Sequence, residues 1–306
     1  MKPITGQVEH PQLGQVSPGD HHQPAYDLSV DAAGGGDFDE IDNAINDIAG
    51  AGVIYVKGGS YATFTNDEDF LALIFEPDVV VAGAATLSGQ ESSILALGDT
   101  DIQGLLTLSG AGATYHGFGA TNTYGMLMSG LSANYIGGGM GDSHGGGTTR
   151  HGISITGAGC TVQNTRASTT AGSGNAFDGI NVSGSDAKVS QVEVLDSDQD
   201  GVNLSGGQRS QLSDVYVKGS DRDGYRLAID KCQLSGCISQ SAGGDGFHVI
   251  GDNNQIIAGQ AQDATGATIE FVAGADNNIA VGCRLGGSIT DGGSGNVDVG
   301  NNTAAL

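Results

Sequence analysis

Apolar and polar residues alternate in short runs along this chain, and the runs recur at a nearly constant spacing. Between Tyr124 and Ile269 an Xaa-Gly pair repeatedly precedes an apolar–polar–apolar triplet, at intervals of 27, 27, 22, 23 and 22 residues. The pairs begin at Tyr124, His151, Asp178, Asp200, Asp223 and Asp245, and Thr265 begins a weaker copy. A period of two is that of a β-strand, because successive side chains of a strand point to opposite faces.

A second set of apolar residues keeps the same period. Its members are Val162, Val189, Leu212, Leu234, Ile256 and Ile279. A single coil of this kind cannot bury its apolar face alone, whereas stacked coils form a continuous core. The pattern therefore predicts an all-β fold, a parallel β-helix with coils of about 22 residues.

Alternation also predicts which side chains face the core of this solenoid. The inward set is Ile153, Ile180, Val202, Tyr225 and Phe247. The outward set is Ser154, Asn181, Asn203, Arg226 and His248. Coils stack at about 4.8 Å, so the outward residues are expected to form a ladder on the surface.

Residues 34–62 predict how the solenoid begins. Phe38, Ile41, Ile45 and Ile48 share one helical face, and Asp37 with Glu40 resembles a capping box, which predicts a helix at about 37–49 with Asp37 as its N-cap. A Val-Ile-Tyr-Val strand and a Gly-Gly-Ser-Tyr turn follow. This arrangement resembles the start of pectin-lyase-like β-helices. The resemblance implies a right-handed solenoid over residues 34–300 whose open end is covered by the helix, but no single activity, because this fold hosts lyases, hydrolases, epimerases and non-catalytic spikes.

The rest of the solenoid is less regular. Apolar runs at Leu71–Phe75, Val79–Val81, Ile94–Leu97 and Leu105–Leu108 predict the first coils. The glycine-rich residues 137–149, which include His144, predict a loop that leaves a 27-residue coil. No cap is evident at the C-terminal end, so another subunit or module is expected to cover it.

Charge narrows the possible partners. The 306 residues include 35 acidic residues against 11 Lys and Arg, a net charge of -24, with 54 Gly. Such a chain repels nucleic acid and anionic membranes. The acidic excess, with few lysines, also fits adaptation to molar salt, where the Debye length is about 3 Å. No apolar run is long enough to insert into a membrane, and residues 1–20 lack the apolar core of a signal peptide.

The four cysteines are predicted to be buried free thiols. Cys237, Gln260 and Cys283 are expected to share one place in the repeat, which puts Cys237 and Cys283 two coils, or roughly 9–10 Å, apart. That separation exceeds the reach of a disulfide. Cys160 and Cys232 complete the set, and their spacing is not that of a metal site.

Residues 1–30 differ from the solenoid and predict an extended arm. They hold four of the five prolines and three of the seven histidines. Leu13, Val16, Pro18, His21 and His22 form a Leu-x-x-Val-x-Pro-x-x-His-His stretch. It resembles stretches near the start of tail-fibre and spike proteins of tailed viruses, which implies that the arm joins a homotrimer to other virion proteins. A metal bound by His21 and His22 on a threefold axis, or a plain exposed linker, are the alternatives.

The acidic ladder Asp178, Asp200, Asp223 and Asp245 lies beside the outward set and has two interpretations. Paired carboxylates act as acid and base in glycoside hydrolysis, and His248 or Arg226 could abstract the proton alpha to a uronate. The catalytic candidates are thus Asp200, Asp223, Asp245, His248 and Arg226, with Asn181, Asn203, Arg226 and His248 as substrate-binding candidates. Alternatively, Asp-Gly simply suits the turn before each strand and is reused by the repeat.

A cation site is a further hypothesis. Asp196, Asp198 and Asp200 match the first half of a calcium loop, but its twelfth position is Gly207 instead of Glu. Asp221 and Asp223 in the next coil could complete a site for Ca²⁺ or another hard cation. Glycosylation sequons begin at Asn181, Asn203 and Asn301.

These patterns favour a virion structural protein, a trimeric spike or fibre of a tailed virus of a halophilic host. It would sit on the particle surface and present a face to a host glycan or S-layer. A polysaccharide-modifying enzyme (lyase, hydrolase or epimerase) on the same fold is the alternative, and the absence of Trp for sugar stacking weighs against it.

Overall fold

The computed structural model describes residues 26–48, 50–117, 120–122, 125–138, 143–146, 150–169 and 177–302. They contain one helix, α1 (Ile41–Ile48). The strands, in chain order, are β1 Leu28–Val30, β2 Gly52–Val56, β3 Gly59–Tyr61, β4 Phe64–Asn66, β5 Leu71–Phe75, β6 Val79–Val81, β7 Ala85–Leu87, β8 Ser93–Ala96, β9 Thr100–Ile102, β10 Leu106–Leu108, β11 Thr114–Gly117, β12 Ala120–Asn122, β13 Met126–Met128, β14 Asn134–Gly137, β15 Ser143–Gly146, β16 Ile153–Ile155, β17 Thr161–Thr169, β18 Ile180–Val182, β19 Lys188–Leu195, β20 Val202–Leu204, β21 Gln211–Lys218, β22 Tyr225–Leu227, β23 Gln233–Ser235, β24 Ile238–Gln240, β25 Phe247–Val249, β26 Gln255–Ile257, β27 Gln260–Gln262, β28 Ile269–Phe271, β29 Ile279–Val281, β30 Arg284–Leu285, β31 Ile289–Asp291 and β32 Val297–Val299.

Every named pair of strands is parallel, and each strand pairs with its counterpart one coil later, as in β2 with β5 and β22 with β25. Each coil therefore contributes one strand to each of three faces. The first face contains β1, β2, β5, β8, β11, β14, β23, β26, β29 and β32, and the second contains β3, β6, β9, β12, β15, β24, β27 and β30. The long strands β17, β19 and β21 run through both. The third face is a separate sheet of eleven three-residue strands, from β4 to β31.

The corner between the first and second faces is made by stacked residues in the left-handed backbone region. Asn164, Gln191, Asp214, Gly236 and Ala258 have φ between 51° and 64° at this corner. One such residue bends the strand sharply while the pairing continues on both sides of it, because both neighbours remain extended. The same bend recurs in these five successive coils and keeps their first and second faces in register.

The core lies between the three faces, and the predicted inward residues occupy it. Ile153, Ile180, Val202, Tyr225 and Phe247 are all buried. The Tyr225 and Phe247 rings stack with centroids 4.8 Å apart, one coil above the other. All four cysteines are free and buried, as predicted.

The glycine of each Asp-Gly pair is required by packing. None of these glycines has a positive φ, so the turn before each strand does not require a glycine in the left-handed region. A Cβ at Gly246 would lie 2.6 Å from the carbonyl oxygen of Thr268 and 2.7 Å from Cβ of Ala261. At Gly224 it would overlap the hydroxyl of Ser239 and approach the carbonyl of Gly246. The glycines therefore allow the corner to close onto the second face and onto the next coil.

The first coil differs from its prediction in two respects. Helix α1 begins at Ile41 instead of residue 37 and buries Ile41, Ala44 and Ile45 against the open end. Asp37 is not its N-cap, because its carboxylate accepts hydrogen bonds from the amide and hydroxyl of Ser29 at 2.8 Å. Ser29 belongs to β1, which pairs with β2, so residues 28–30 of the predicted arm are part of the first coil.

Two register predictions and one loop prediction also require correction. Ala280, not Ile279, continues the second apolar ladder, because Ile256 pairs with Ala280. Gly259, not Gln260, occupies the position between Cys237 and Cys283 in the intervening coil, because Gln260 pairs with Ile238. Part of the predicted loop at 137–149 is strand β15, in which His144 is buried with its ring edge against Tyr135. Burial lowers the pKa of His144 to about 3.

No helix within the described residues has the length and apolar character needed to cross a lipid bilayer.

Candidate functional site

The outward ladder of the third face is present as predicted and extends beyond the predicted set. The central residues of its strands, each paired with the next, are Thr65, Thr86, Thr107, Leu127, Ser154, Asn181, Asn203, Arg226, His248, Glu270 and Thr290. The side chains change along the ladder from threonine through asparagine to charged groups. Ionisable chemistry is therefore concentrated in three consecutive coils, at Arg226, His248 and Glu270.

The acidic ladder beside it is a hydrogen-bonded column. Oδ1 of Asp178 accepts the amide of Asp200 at 3.2 Å, Asp200 accepts that of Asp223 at 3.2 Å, and Asp223 accepts that of Asp245 at 2.9 Å. Asp245 accepts the amide of Ala267 at 2.6 Å and ends the column. One oxygen of each carboxylate thus supports the turn of the next coil, and only the second oxygen is available for other chemistry.

Burial makes this column electrostatically costly in its middle. Asp200 is fully buried, and its Oδ2 has no hydrogen-bond partner among the described residues. Burial raises its pKa to about 6, with the carboxylates of Asp178 and Asp223 adding to the effect and Arg222, 3.6 Å away, opposing it. Burial also raises the pKa of Asp178, whose Oδ2 accepts a hydrogen bond from Nδ2 of Asn203 at 3.0 Å. Because Asp200 is fully buried, a ligand on the surface could be influenced by its carboxylate only through neighbouring side chains.

Three ionisable side chains meet toward the C-terminal end of the ladder, around His248. Its Nδ1 is 2.9 Å from Oδ2 of Asp245 and 2.8 Å from Oε2 of Glu270. Interaction with the Asp245 carboxylate raises the pKa of Glu270, with a smaller contribution from burial, while His248 opposes the rise. All three side chains are partly open to solvent, with exposures of 22%, 15% and 32%. Two carboxylates and an imidazole in contact provide a proton donor and acceptor at the surface.

The same place has the geometry of a cation site. Among the described residues, one group of three or more ligand-type side chains has donor atoms within 4.8 Å of one another, namely Asp223, Asp245 and His248. Nitrogen and carboxylate donors together suit Zn²⁺ or Mn²⁺ better than Ca²⁺, which prefers oxygen alone. Any cation here would compete with the contact between His248 and the carboxylates.

The residues of the predicted calcium loop lie in different surroundings. Asp196 and Asp221 are exposed, whereas Asp200 and Asp223 are buried. The amide of Asp198 donates to Oγ1 of Thr169 at 2.8 Å. Asp223 is grouped with Asp245 and His248 instead of with the other four, so calcium binding at this loop stays a prediction. His21 and His22 lie outside the described residues.

Glu270 is the site residue that the sequence analysis missed. The predicted weaker copy of the repeat begins at Thr265 and Gly266. In the structure Ile269 pairs with Phe247, so the counterparts of Asp245 and Gly246 are Ala267 and Thr268. The predicted copy is therefore displaced by two residues. The triplet Ile269, Glu270 and Phe271, 22 residues after the triplet centred on His248, is the signal that identifies the outward glutamate.

A cavity of about 150 Å³ opens on the same face, toward the N-terminal end of the polar ladder. His151 connects it to the acidic column, because its Nδ1 accepts the amide of Asp178 at 3.0 Å and its Nε2 lies 3.0 Å from Nδ2 of Asn181. Burial lowers the pKa of His151, and its ring meets the ring of Phe177 edge-on at 5.3 Å. The lining residues are Leu105, Met126, Leu127, Arg150, His151, Ser154 and Phe177. This apolar hollow with one exposed guanidinium was not predicted.

Comparison with known proteins shows the fold. No protein-family model and no curated sequence matches the chain. The Dettilon tailspike protein gp208 superposes with a TM-score of 0.61 at 14% identity, over 87% of this chain and 63% of that one. Pectate lyase Pel9A gives 0.58 at 13%, over 86% and 75%. ORF18 of Geobacillus virus E2 gives 0.54 at 12%, over 86% and 57%. The predicted fold class, a pectin-lyase-like parallel β-helix with one short helix, is confirmed, and the chain spans about three fifths of the two viral proteins.

Proposed function

We propose that this chain forms the shaft of a homotrimeric virion spike or tail fibre that binds a host-surface polysaccharide along its third face. The observation that carries the proposal is the rigid ladder from Asn181 to Glu270. Amide, guanidinium, imidazole and carboxylate groups repeat there at about 4.8 Å on a flat sheet whose backbone is fixed by pairing on both sides. Preorganised donors and acceptors in a row suit the hydroxyl and acidic groups of an extended sugar chain.

The virion assignment rests on fold analogy and on the arm. A viral tailspike and a second viral protein share the fold, but the same fold is used by a pectate lyase. Residues 1–30 resemble the starts of tail-fibre and spike proteins, and in this proposal they join other virion proteins. The particle surface is then the location of the chain, and a glycan or S-layer of a host living in molar salt is its target.

The test combines mass with binding. In molar salt, light scattering should give about three times 30.6 kDa. Purified host-envelope polysaccharide should bind the wild-type protein, and Asn203→Ala and Arg226→Ala should each weaken binding by roughly tenfold, the value of one good polar contact. Thr86→Ala, in the same ladder but outside the polar coils, is the matched control and should bind normally. A monomeric wild type, or equal binding by all three variants, would contradict the proposal.

A polysaccharide-modifying enzyme is the second candidate, and the contacts of His248 favour it. Glu270 with a raised pKa is suited to protonate a leaving oxygen, and Asp245 with His248 can accept a proton. The assay is release of reducing ends or unsaturated uronates from acidic polysaccharides. Asp245→Asn, Glu270→Gln and His248→Ala should each abolish release, whereas Thr86→Ala should not. Binding without any release would leave the spike as a purely adhesive protein.

A further inference from the structure

The first face of the solenoid carries no carboxylate at any outward strand position. Two side chains from each of twelve strands point outward there, and register connects them without a gap. These twenty-four residues are Val53, Tyr55, Ala72, Ile74, Ser93, Leu95, Thr114, His116, Asn134, Ile136, Thr161, Gln163, Lys188, Ser190, Gln211, Ser213, Gln233, Ser235, Gln255, Ile257, Ile279, Val281, Val297 and Val299. Lys188 is their one permanent charge, in a chain with 35 acidic residues.

The other two faces are not depleted of charge in this way. The third face carries Arg226 and Glu270 at its outward positions. The second face carries Asp101, Arg166, Glu193, Lys218 and Arg284. A general preference of strands for uncharged residues therefore does not explain the first face, because all three faces are built from strands of the same solenoid.

The first face is also the most apolar outer surface at its N-terminal end. Tyr55, Ile74 and Leu95 succeed one another in register, and Ile136 follows after His116. Leu95 is 39% exposed. Farther along, Ser, Gln and Thr take over, and Ile and Val return in the last coils. The apolar ends gain free energy on burial, whereas the Ser, Gln and Thr side chains can be buried without a large cost only where they hydrogen-bond across the contact.

We infer that the first face is where three copies of this chain meet, turned toward the threefold axis. The inference rests on the proposed trimer and names its interface. The chain carries a net charge of -24, and carboxylates buried together between copies repel one another even in molar salt, because salt screens buried pairs much less than exposed ones. Around a threefold axis each residue faces its own counterparts at the same height, so one carboxylate there would confront two others, at about 1–4 kcal/mol for each pair near 4 Å. The absence of carboxylates from the outward strand positions is the pattern that this geometry favours, and Glu76 and Asp27 border the face only at its N-terminal end, where they accept hydrogen bonds from the Tyr55 hydroxyl and the Val53 amide.

The dimensions agree with such an interface. Eleven steps of about 4.8 Å make the face roughly 53 Å tall, and strands of three to five residues make it about 10–15 Å wide. The resulting area, roughly 500–800 Å² for each copy, is shared between two neighbours, and its upper limit equals the roughly 800 Å² that one partner buries in a standard interface.

The experiment places a charge or a thiol on the face and on a matched control. Leu95→Asp and Ser213→Asp should convert the trimer to a monomer by light scattering in molar salt, while Thr107→Asp, an outward strand residue of the third face, should remain trimeric. Circular dichroism establishes that each variant is folded. All four native cysteines are buried, so only an introduced surface thiol is expected to cross-link two copies. Ser213→Cys should give disulfide-linked dimers under mild oxidation, and Thr107→Cys should not.

The possible failures are distinguishable. A monomeric wild type refutes the proposed trimer itself. A trimeric wild type whose Leu95→Asp and Ser213→Asp variants stay trimeric, with Ser213→Cys uncrosslinked, refutes the assignment of the first face and leaves the trimer intact. Loss of the trimer in Thr107→Asp as well would show that any added carboxylate disperses the copies, which also overturns the assignment.

Discussion

Replacing Asp200 by Asn should remove a stability loss that the wild-type protein suffers as pH rises. Asp200 lies in the middle of the acidic column with its Oδ2 unsatisfied, and its pKa is raised from 3.8 to about 6 by burial and by the flanking carboxylates. Between these two values the native state holds a proton that the unfolded state has released. Stability therefore falls as pH rises through this window and is lowest above it.

The size of the effect follows from the shift. The pKa of Asp200 is raised by roughly two pH units. At about 1.4 kcal/mol per unit, this lowers the free energy of unfolding at neutral pH by about 3 kcal/mol. In Asp200→Asn the side-chain oxygen still accepts the amide of Asp223, as Oδ1 does now at 3.2 Å. The new NH₂ group lacks a partner, as Oδ2 of the wild-type carboxyl does, so this cost of about 1–3 kcal/mol is present in both proteins. The two proteins should thus have similar stability at pH 4, and the variant should be the more stable one at pH 7.5.

Urea unfolding followed by circular dichroism at pH 4, 5, 6 and 7.5, at fixed salt and protein concentration, measures the effect. The control is Asp186→Asn, because Asp186 is exposed, pairs with Arg209 at 2.8 Å and has a lowered pKa. That variant should become less stable relative to wild type as pH rises toward neutral, the opposite sign, because the wild-type carboxylate with its lowered pKa stabilises the native state above that pKa. If Asp200→Asn shows the wild-type dependence on pH, Asp200 is not the buried titrating group and the reasoning about the column is wrong.

Three further changes test the packing. Gly224→Ala should destabilise the fold by about 1–3 kcal/mol in urea, since its Cβ would overlap a serine hydroxyl of the second face, whereas Gly287→Ala, which meets one methyl at 3.1 Å, should cost much less. Tyr225→Phe should cost about 1 kcal/mol by removing the hydroxyl that donates to the carbonyl of Val215 at 2.6 Å, and an unchanged urea midpoint would contradict this. His144→Phe should protect the protein against acid, because the wild type loses stability as pH falls from 6.5 toward the lowered pKa of about 3, and identical acid unfolding of both proteins would count against it.

The fold could be predicted because its two periods are explicit in the sequence. Alternation fixes inside and outside, and the repeat length fixes which residues stack, so Tyr225 was correctly placed above Val202 and below Phe247. Errors of one or two residues arose where the repeat weakens, at Ile279 and at Thr265, because a strand of three residues contributes too few apolar positions to fix its own register. The cap at Asp37 failed for a different reason, since its carboxylate bonds to Ser29, far from the helix start.

The function was harder to predict because the repeat itself imitates a catalytic pattern. Four aspartates at the same position of successive coils resemble a row of acid and base groups. One oxygen of each, however, accepts a hydrogen bond from an amide of the next coil, so their regular spacing is explained by the structure of the turn. The ionisable side chains of the candidate site lie instead where the sequence of one coil differs from that of the coil before it. Asn181 and Asn203 give way to Arg226, His248 and Glu270 in successive coils, while the column beside them ends at Ala267. A residue that the turn does not require is the better guide to function in a solenoid, because stacking alone gives no reason for it to change.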